Sequence, residues 1–273
     1  MKLKILLIAT LFLFNFACIV STSDEKTVEA DDEQNELIQN DEPQDKLKDL
    51  EEKMEELESG KSDASVIKHV IQQKPEGAES VQVDINVGAC RMNISTGSKQ
   101  LFTGGFAYTH KDWKPEYSYS VENSIGYLSI KQPEIDDINF DDDDKYVWNL
   151  KFGKQIPLEF DINLGAGLTD IKLGALPVKS FNMKMGIGKT TLDLRGAWKS
   201  NSEIHLEGGV GLLQIYLPEN VGVKINILKA LTDIDTQNLE QIDKNTFVNK
   251  YYKKSKVTIS IYLKTGIGKI QIE

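Results

Sequence analysis

The segment MGIGKTTLDL (185–194) contains the glycines, the lysine and the threonine that nucleotide-binding loops use to hold phosphates. Such loops read G-x-x-x-x-G-K-[ST] and open a helix. Here Met183 occupies the position of the first glycine, and the residues after Lys189 alternate as in a short strand. GIGK recurs at 266–269, where an alternating sequence follows again. We therefore interpret GIGK as part of a repeated structural unit and expect no bound nucleotide.

Other catalytic signatures are absent from the sequence. His69, His110 and His205 are scattered, and none stands at a metal-ligand spacing from a cysteine or carboxylate. No G-x-S-x-G nucleophile motif occurs. We predict no catalytic residues, no cofactor and no enzymatic activity.

An acidic run, EIDDINFDDDDKY (134–146), offers oxygen ligands of the kind that Ca²⁺ prefers. The run lacks the alternating ligands and the central glycine of a calcium loop. A solvated linker is the main interpretation, and a weak cation site is the alternative. The candidate ligands are Asp141, Asp142, Asp143 and Asp144.

Four aromatic residues are concentrated between 113 and 127: Trp113, Tyr117, Tyr119 and Tyr127. Tyr117 and Tyr119 share one face of a predicted strand. Exposed rings in a row could stack on sugar rings, because an aromatic ring offers a flat apolar face. Packing of the rings across neighbouring strands is the alternative interpretation. This cluster is the best candidate for a ligand surface in the sequence.

Residues 1–18 have the pattern of a bacterial lipoprotein signal peptide. Two lysines precede a short apolar run, and Ala17 stands directly before Cys18. Asn15 departs from the aliphatic residue usual at its position. We expect Cys18 to carry lipid and to hold an exported protein on a membrane of the cell envelope. Cleavage after residues 21–23, or an uncleaved anchor, are the alternatives.

The next forty residues carry the acidity of the chain. The formal charge is -10, yet residues 19–60 alone contain 16 Asp and Glu against 4 Lys, so the remainder is close to neutral. Residues 19–45 hold too few apolar side chains to fold and predict a disordered tether. Residues 46–60 space four apolar side chains as on one face of a short helix. No basic cluster suggests a nucleic-acid partner.

From residue 79 onward, apolar and polar residues alternate in many short runs, which predicts an all-β body with one buried face per strand. Similar units recur every 21–23 residues. This spacing matches the coils of a parallel β-solenoid, in which equivalent residues stack in columns, such as Ile162, Met183 and Ile204. A β-sandwich is the alternative, but it does not predict a fixed offset of 21 residues. Paired glycines would form the corners of the coils: Gly165, Gly167, Gly186, Gly188, Gly209, Gly211, Gly266 and Gly268.

These motifs resemble a known family. ESVQVDINVGACRMNISTGSKQLFTGGFAY (79–108) resembles the N-terminal domain of the toast-rack proteins. Segments 156–196, 207–227 and 251–273 are similar to the C-terminal domain of the envelope-stress regulator LiaF. The resemblance implies a toast-rack-like segment over 76–150 and a LiaF-like segment over 151–273.

Relatives of this group are often labelled adhesins or are linked to sensing envelope damage. We therefore expect a non-enzymatic envelope lipoprotein that binds an unknown envelope or surface ligand. A partner in envelope-stress sensing is the first alternative. A glycan-active enzyme is the second, and it would require Asp161, Asp170 and Asp193 to converge in one cleft.

Overall fold

The computed structural model describes residues 66–134 and 144–273. These ranges form one 13-stranded sheet and contain a single 3₁₀ turn, Lys111–Trp113, which confirms the predicted all-β body. The signal peptide, the tether and the helix predicted over 46–60 lie outside the described residues. The strands are β1 Ile67–Gln73, β2 Ser80–Thr96, β3 Phe102–Tyr108, β4 Glu116–Glu122, β5 Ile125–Lys131, β6 Tyr146–Phe152, β7 Leu158–Lys172, β8 Val178–Asp193, β9 Ser202–Tyr216, β10 Gly222–Thr236, β11 Leu239–Asp243, β12 Thr246–Asn249 and β13 Thr258–Ile272.

Six long parallel strands make up the body, and each is the main part of one coil. They stack in the order β2, β7, β8, β9, β13, β10. Short antiparallel strands extend both ends of the stack. Within the described ranges, no helix is long and apolar enough to span a membrane. The arrangement is the stacked, solenoid-type sheet that the repeat predicted.

Each long strand bends near its middle, so that both of its halves face one core. In β7 the buried positions are even-numbered up to Leu164 and odd-numbered from Thr169 onward. A straight strand would keep one parity, because successive side chains point to opposite faces. The change of parity coincides with Gly165 and Gly167, and Gly167 has φ +154°. The corner glycines therefore turn the second half of the strand back onto the core.

Stacking explains why two glycines are required at these corners. A Cβ at Gly188 would lie 2.0 Å from the carbonyl oxygen of Gly167 in the preceding coil. A Cβ at Gly186 would lie 2.5 Å from the carbonyl oxygen of Gly165. The same overlap recurs at the corners of β9 and β13. Glycine is the residue that lets coils approach this closely at a positive φ.

The order of the last strands departs from simple succession. β13 is last in the chain, yet it lies between β9 and β10. The chain leaves β9, forms the end coil β10, passes through the β11–β12 hairpin and then returns to the open position. The repeat did not predict this insertion, because spacing along the chain does not specify which neighbour a late strand joins.

The predicted column Ile162, Met183 and Ile204 requires a correction. Met183 pairs with Ile162 as predicted, but its partner on β9 is Leu206, and Ile204 pairs with Phe181. The offset is 21 residues from β7 to β8 and 23 from β8 to β9. The register is determined by the corner glycines, because Gly167, Gly188 and Gly211 must stack on one another. An equal spacing of apolar residues along the chain does not determine it.

An aromatic core fills the wide end of the stack, where β2 pairs with β5 along its first half and with β6 along its second. Trp148 is fully buried and meets Phe106 edge-on, with ring centroids 5.5 Å apart. Phe160 links this end to the coils through an edge contact with Phe152 at 5.0 Å. Because β2 pairs directly with β7, the sheet continues through the predicted segment boundary at residue 150.

Candidate functional site

The aromatic cluster predicted between 113 and 127 does not form one exposed surface. Trp113 is buried, and Tyr117 and Tyr119 pack against the core. The Tyr117 hydroxyl donates to the Gln73 side chain at 2.5 Å, and burial raises the pKa of Tyr117 to about 12. Tyr127 alone among the four is more than a third exposed. The other three rings pack into the wide end of the stack.

The predicted acidic site is only partly described. Asp144 accepts hydrogen bonds from Thr109 at 2.8 Å and from His110 at 2.7 Å. These bonds attach the segment before β6 to the end of β3. Asp141, Asp142 and Asp143 lie outside the described residues. Within the described ranges, no group of three histidine, cysteine or carboxylate side chains is placed to hold a metal ion.

The three carboxylates that a glycan-active enzyme would need are divided by the corner of the coils. Asp161 precedes the corner, whereas Asp170 and Asp193 follow it on the second halves of β7 and β8. The Arg195 guanidinium donates two hydrogen bonds to Asp193, at 2.9 and 2.7 Å, and holds the pKa of Asp193 below its usual value. The three groups therefore do not share one cleft.

Cys90 is the one cysteine in the described ranges, and it lies in the core. Burial raises the pKa of its thiol well above the usual value, because desolvation disfavours the thiolate. A neutral buried thiol is a poor nucleophile. Cys90 therefore acts as a small packing residue.

The outward face of the first halves of the long strands carries a polar surface. One column runs along Asp161, Asn182, His205 and Tyr262, which are consecutive partners on β7, β8, β9 and β13. The neighbouring column contains Lys184, Glu207 and Lys264. Because strands in a sheet lie about 4.8 Å apart, these groups are presented at a regular interval.

A groove of about 380 Å³ lies over these two columns. His205 and Tyr262 stack there with ring centroids 4.6 Å apart and an interplanar angle of 14°. Tyr262 is 41% exposed, so the ring pair is accessible to solvent. Beside the rings, Lys264 donates a hydrogen bond of 2.6 Å to Glu207. Leu228 and Asn226 of β10 complete the wall at the end of the stack.

The sequence of the chain matches two known family models. Residues 54–216, more than half of the chain, match the model described as the N-terminal domain of toast_rack, DUF2154. The chain belongs to the toast-rack family. Residues 169–272 also match the model described as cell wall-active antibiotics response LiaF, C-terminal. Both matches confirm the resemblance found in the sequence.

One solved structure supports the fold of this toast-rack chain, and a second shows only a distant likeness. A candidate cell adhesion protein from Clostridium sporogenes ATCC 15579 is 33% identical, with a TM-score of 0.74, and the match covers 76% of this chain and 99% of that one. A candidate adhesin from Bacteroides fragilis NCTC 9343 is 12% identical over 77% of this chain and 97% of that one, with a TM-score of 0.28. No curated protein matches the chain.

The sequence did not reveal the ring pair in the groove of this toast-rack protein. His205 and Tyr262 are 57 residues apart and become neighbours only because β13 inserts beside β9. Aligning EGGVG with KTGIG at their glycines would have placed the two rings at equivalent positions. That alignment required knowing that the two strands are adjacent, which a period of 21–23 residues does not indicate.

Proposed function

We propose that this toast-rack protein is a non-enzymatic binding protein of the cell envelope that acts in adhesion through the polar face of its coils. The exposed His205–Tyr262 pair inside the groove is the observation that carries the proposal. A flat ring surface beside a carboxylate, an amide and an ammonium group suits a ligand with both apolar ring faces and hydroxyl groups. Sugar residues of a cell-surface glycan have that chemistry.

The rigidity of the stack supports a role in recognition. Each polar column lies on strands whose opposite faces are buried in one continuous core. Side chains on such strands keep their spacing without ordering a loop on binding, which lowers the entropic cost of association. The match to the Clostridium sporogenes protein, described as a candidate cell adhesion protein, agrees with this role.

The anchoring arrangement belongs to the same proposal. Cys18 would carry lipid at the start of the mature chain, and the acidic residues that follow would act as a spacer between the membrane anchor and the coils. One acyl chain binds a membrane only weakly, so firm attachment requires the multiple acylation of bacterial lipoproteins.

Binding to isolated cell walls tests the groove. Tyr262→Ala removes the exposed ring, and we expect its retention on the walls to fall at least about tenfold, as for a central aromatic contact. Tyr127→Ala is the matched control, because Tyr127 is 38% exposed and lies far along the sheet. Equal retention of both variants and the native chain would contradict a binding role for the groove.

Protease treatment of intact cells tests the location. The native protein should be cell-bound and cleaved from outside, whereas Cys18→Ala should be released or mislocalised. Cell-bound protein that stays protected until the envelope is broken would contradict adhesion.

Participation in envelope-stress sensing is the second candidate function. The match to the LiaF C-terminal model covers residues 169–272, which include both rings of the groove. In that case the groove would bind a protein partner of the envelope. Protection from external protease, together with loss of an antibiotic-induced envelope response in Tyr262→Ala, would favour this function over adhesion.

A further inference from the structure

Both GIGK motifs lie within strands, β8 and β13, and they present a further surface at the bend of the coils. They belong to two K-x-G-I-G-K corners, residues 184–189 on β8 and 264–269 on β13. Between the two glycines of each corner, an isoleucine points outward: Ile187 is 36% exposed and Ile267 is 38% exposed. A bare glycine on each side leaves these aliphatic side chains protruding from the bend.

These side chains form a continuous column along the bend. Ile187 pairs with Val210 on β9, Val210 with Ile267, and Ile267 with Leu231 on β10. Leu231 is 71% exposed. We call these four residues the corner ridge. At about 4.8 Å between strands, the ridge extends roughly 14 Å along the stack.

Lysines flank the corner ridge on both sides. Lys184 and Lys264 stand before the glycines, and Lys189 and Lys269 stand after them. Lys264 pairs with Glu207. The other three form no ion pair with any side chain in the described part of the chain. The four lysines outnumber their acidic partners on the neighbouring strands, Glu207 and Asp233. The bend therefore combines exposed aliphatic groups with a local excess of positive charge.

We propose that the corner ridge binds the surface of an anionic lipid bilayer. The aliphatic side chains would enter the boundary between headgroups and acyl chains, and the lysines would contact lipid phosphates. This combination is what amphipathic interfacial segments use to bind anionic membranes. The ridge and the groove are neighbouring surfaces that share Lys184 and Lys264 at their border. The aliphatic side chains of the ridge do not line the groove, so membrane binding does not rest on the proposed recognition of a glycan.

Charge and apolarity together favour a bilayer over other occupants. A soluble polyanion would satisfy the lysines but would leave the aliphatic side chains in water. A second copy of the chain, joined ridge to ridge, would bring two sets of lysines together, which like-charge repulsion disfavours. A bilayer containing anionic lipid matches both parts of the surface.

A fluorescent probe at the ridge tests the proposal in the full chain. Ile267→Cys would be labelled with an environment-sensitive fluorophore in a Cys18→Ser background, where Cys90 stays buried and unreactive. Val70→Cys in the same background is the matched control, because Val70 is 64% exposed and lies on the edge strand β1 at the opposite end of the sheet. Any attachment through the apolar N-terminus is common to both labelled chains.

The probe at 267 should shift to shorter wavelength with phosphatidylcholine vesicles that contain phosphatidylglycerol, and much less with phosphatidylcholine alone. The probe at 70 should not shift. Replacing Lys184, Lys189 and Lys269 by Gln should weaken the response roughly fivefold for each lysine at low salt. Equal shifts at both positions would overturn the proposal. A shift at 267 that needs no vesicles and grows with protein concentration would also overturn it, in favour of contact between copies.

Discussion

Interior and end coils of the stack make the same bend with different residues. The four interior strands β7, β8, β9 and β13 each have two glycines at the corner. The first coil has Gly88-Ala89-Cys90, and the last has Ala230-Leu231-Thr232. The difference shows that the glycines are required by the neighbouring coil as well as by the bend.

The first coil can hold a side chain because nothing stacks behind its corner. Each corner Cβ points toward the preceding coil, and β2 pairs with β5 only up to Asn86 and with β6 only from Arg91. No strand therefore pairs with β2 at Cys90 on that side. Gln132 occupies part of the gap, where its side-chain oxygen accepts hydrogen bonds from the backbone N–H groups of Gly88 at 2.7 Å and Ala89 at 3.4 Å.

The last coil replaces glycine by a hydrogen-bonded threonine. Thr232 stands at the position of the second glycine without a positive φ. Its hydroxyl donates to the carbonyl oxygen of Gly266 at 3.0 Å and accepts a hydrogen bond from Thr265 at 3.1 Å. Because no coil follows β10 at this corner, its backbone can adjust to the side chain.

Removal of β13 should have the largest effect on the stack. Truncation at residue 257 takes a strand from between two neighbours and deletes five buried side chains, worth about 10 kcal/mol together at about 2 kcal/mol each. That approaches the whole stability of a typical domain. We expect no cooperative transition in thermal melting followed by circular dichroism. The Tyr262→Ser variant, which changes only the outward face of β13, should still melt cooperatively.

Cys90→Ala should cost about 1 kcal/mol, the loss of one buried group of methylene size. The first coil accepts any small Cβ-bearing residue at this corner, so the alanine fits without overlap. Urea denaturation measures the difference. A loss above about 3 kcal/mol would show that a special environment is built around the thiol.

Gln132→Ala should destabilise the first coil by roughly 0.5–1 kcal/mol, the net contribution of a typical hydrogen bond. The effect is limited because Gly88 is exposed and water can replace the lost acceptor. Faster hydrogen exchange at the Gly88 and Ala89 amides, with unchanged exchange at Gly167, would locate the effect at the end coil.

Asp193→Asn should have the smallest effect, below about 1 kcal/mol at pH 7, because the ion pair with Arg195 is near the surface. The folded-state pKa of Asp193 is lowered, so its stabilisation is present above the unfolded pKa of about 3.9. That stabilisation is lost as pH falls through the lower folded value. Urea denaturation of both chains should therefore differ at pH 7 and converge at about pH 2. A constant difference would contradict an electrostatic origin.

The sequence predicted the local structure well and the order of strands poorly. Alternation from Val81 onward indicated strands with one buried face, and the paired glycines indicated the corners. Those features depend on neighbouring residues. The insertion of β13, which creates the His205–Tyr262 pair, depends on which strand edge is free when the chain returns. The four aromatic residues of 113–127 had the composition of a ligand surface, but three of them pack in the wide end of the stack and only Tyr127 is exposed.

The claim that corner glycines are set by coil stacking can be tested within one strand. Gly208, Gly209 and Gly211 lie together on β9. An added Cβ at Gly208 would have no atom within 4 Å. At Gly209 it would lie 2.4 Å from the Gly186 carbonyl oxygen, and at Gly211 it would lie 1.8 Å from the Gly188 carbonyl oxygen. Only Gly211 of the three has a positive φ. The free energy of unfolding should be unchanged or slightly higher in Gly208→Ala. It should fall by about 1–3 kcal/mol in Gly209→Ala and by about 3–5 kcal/mol in Gly211→Ala. Equal losses in all three variants would contradict the stacking account.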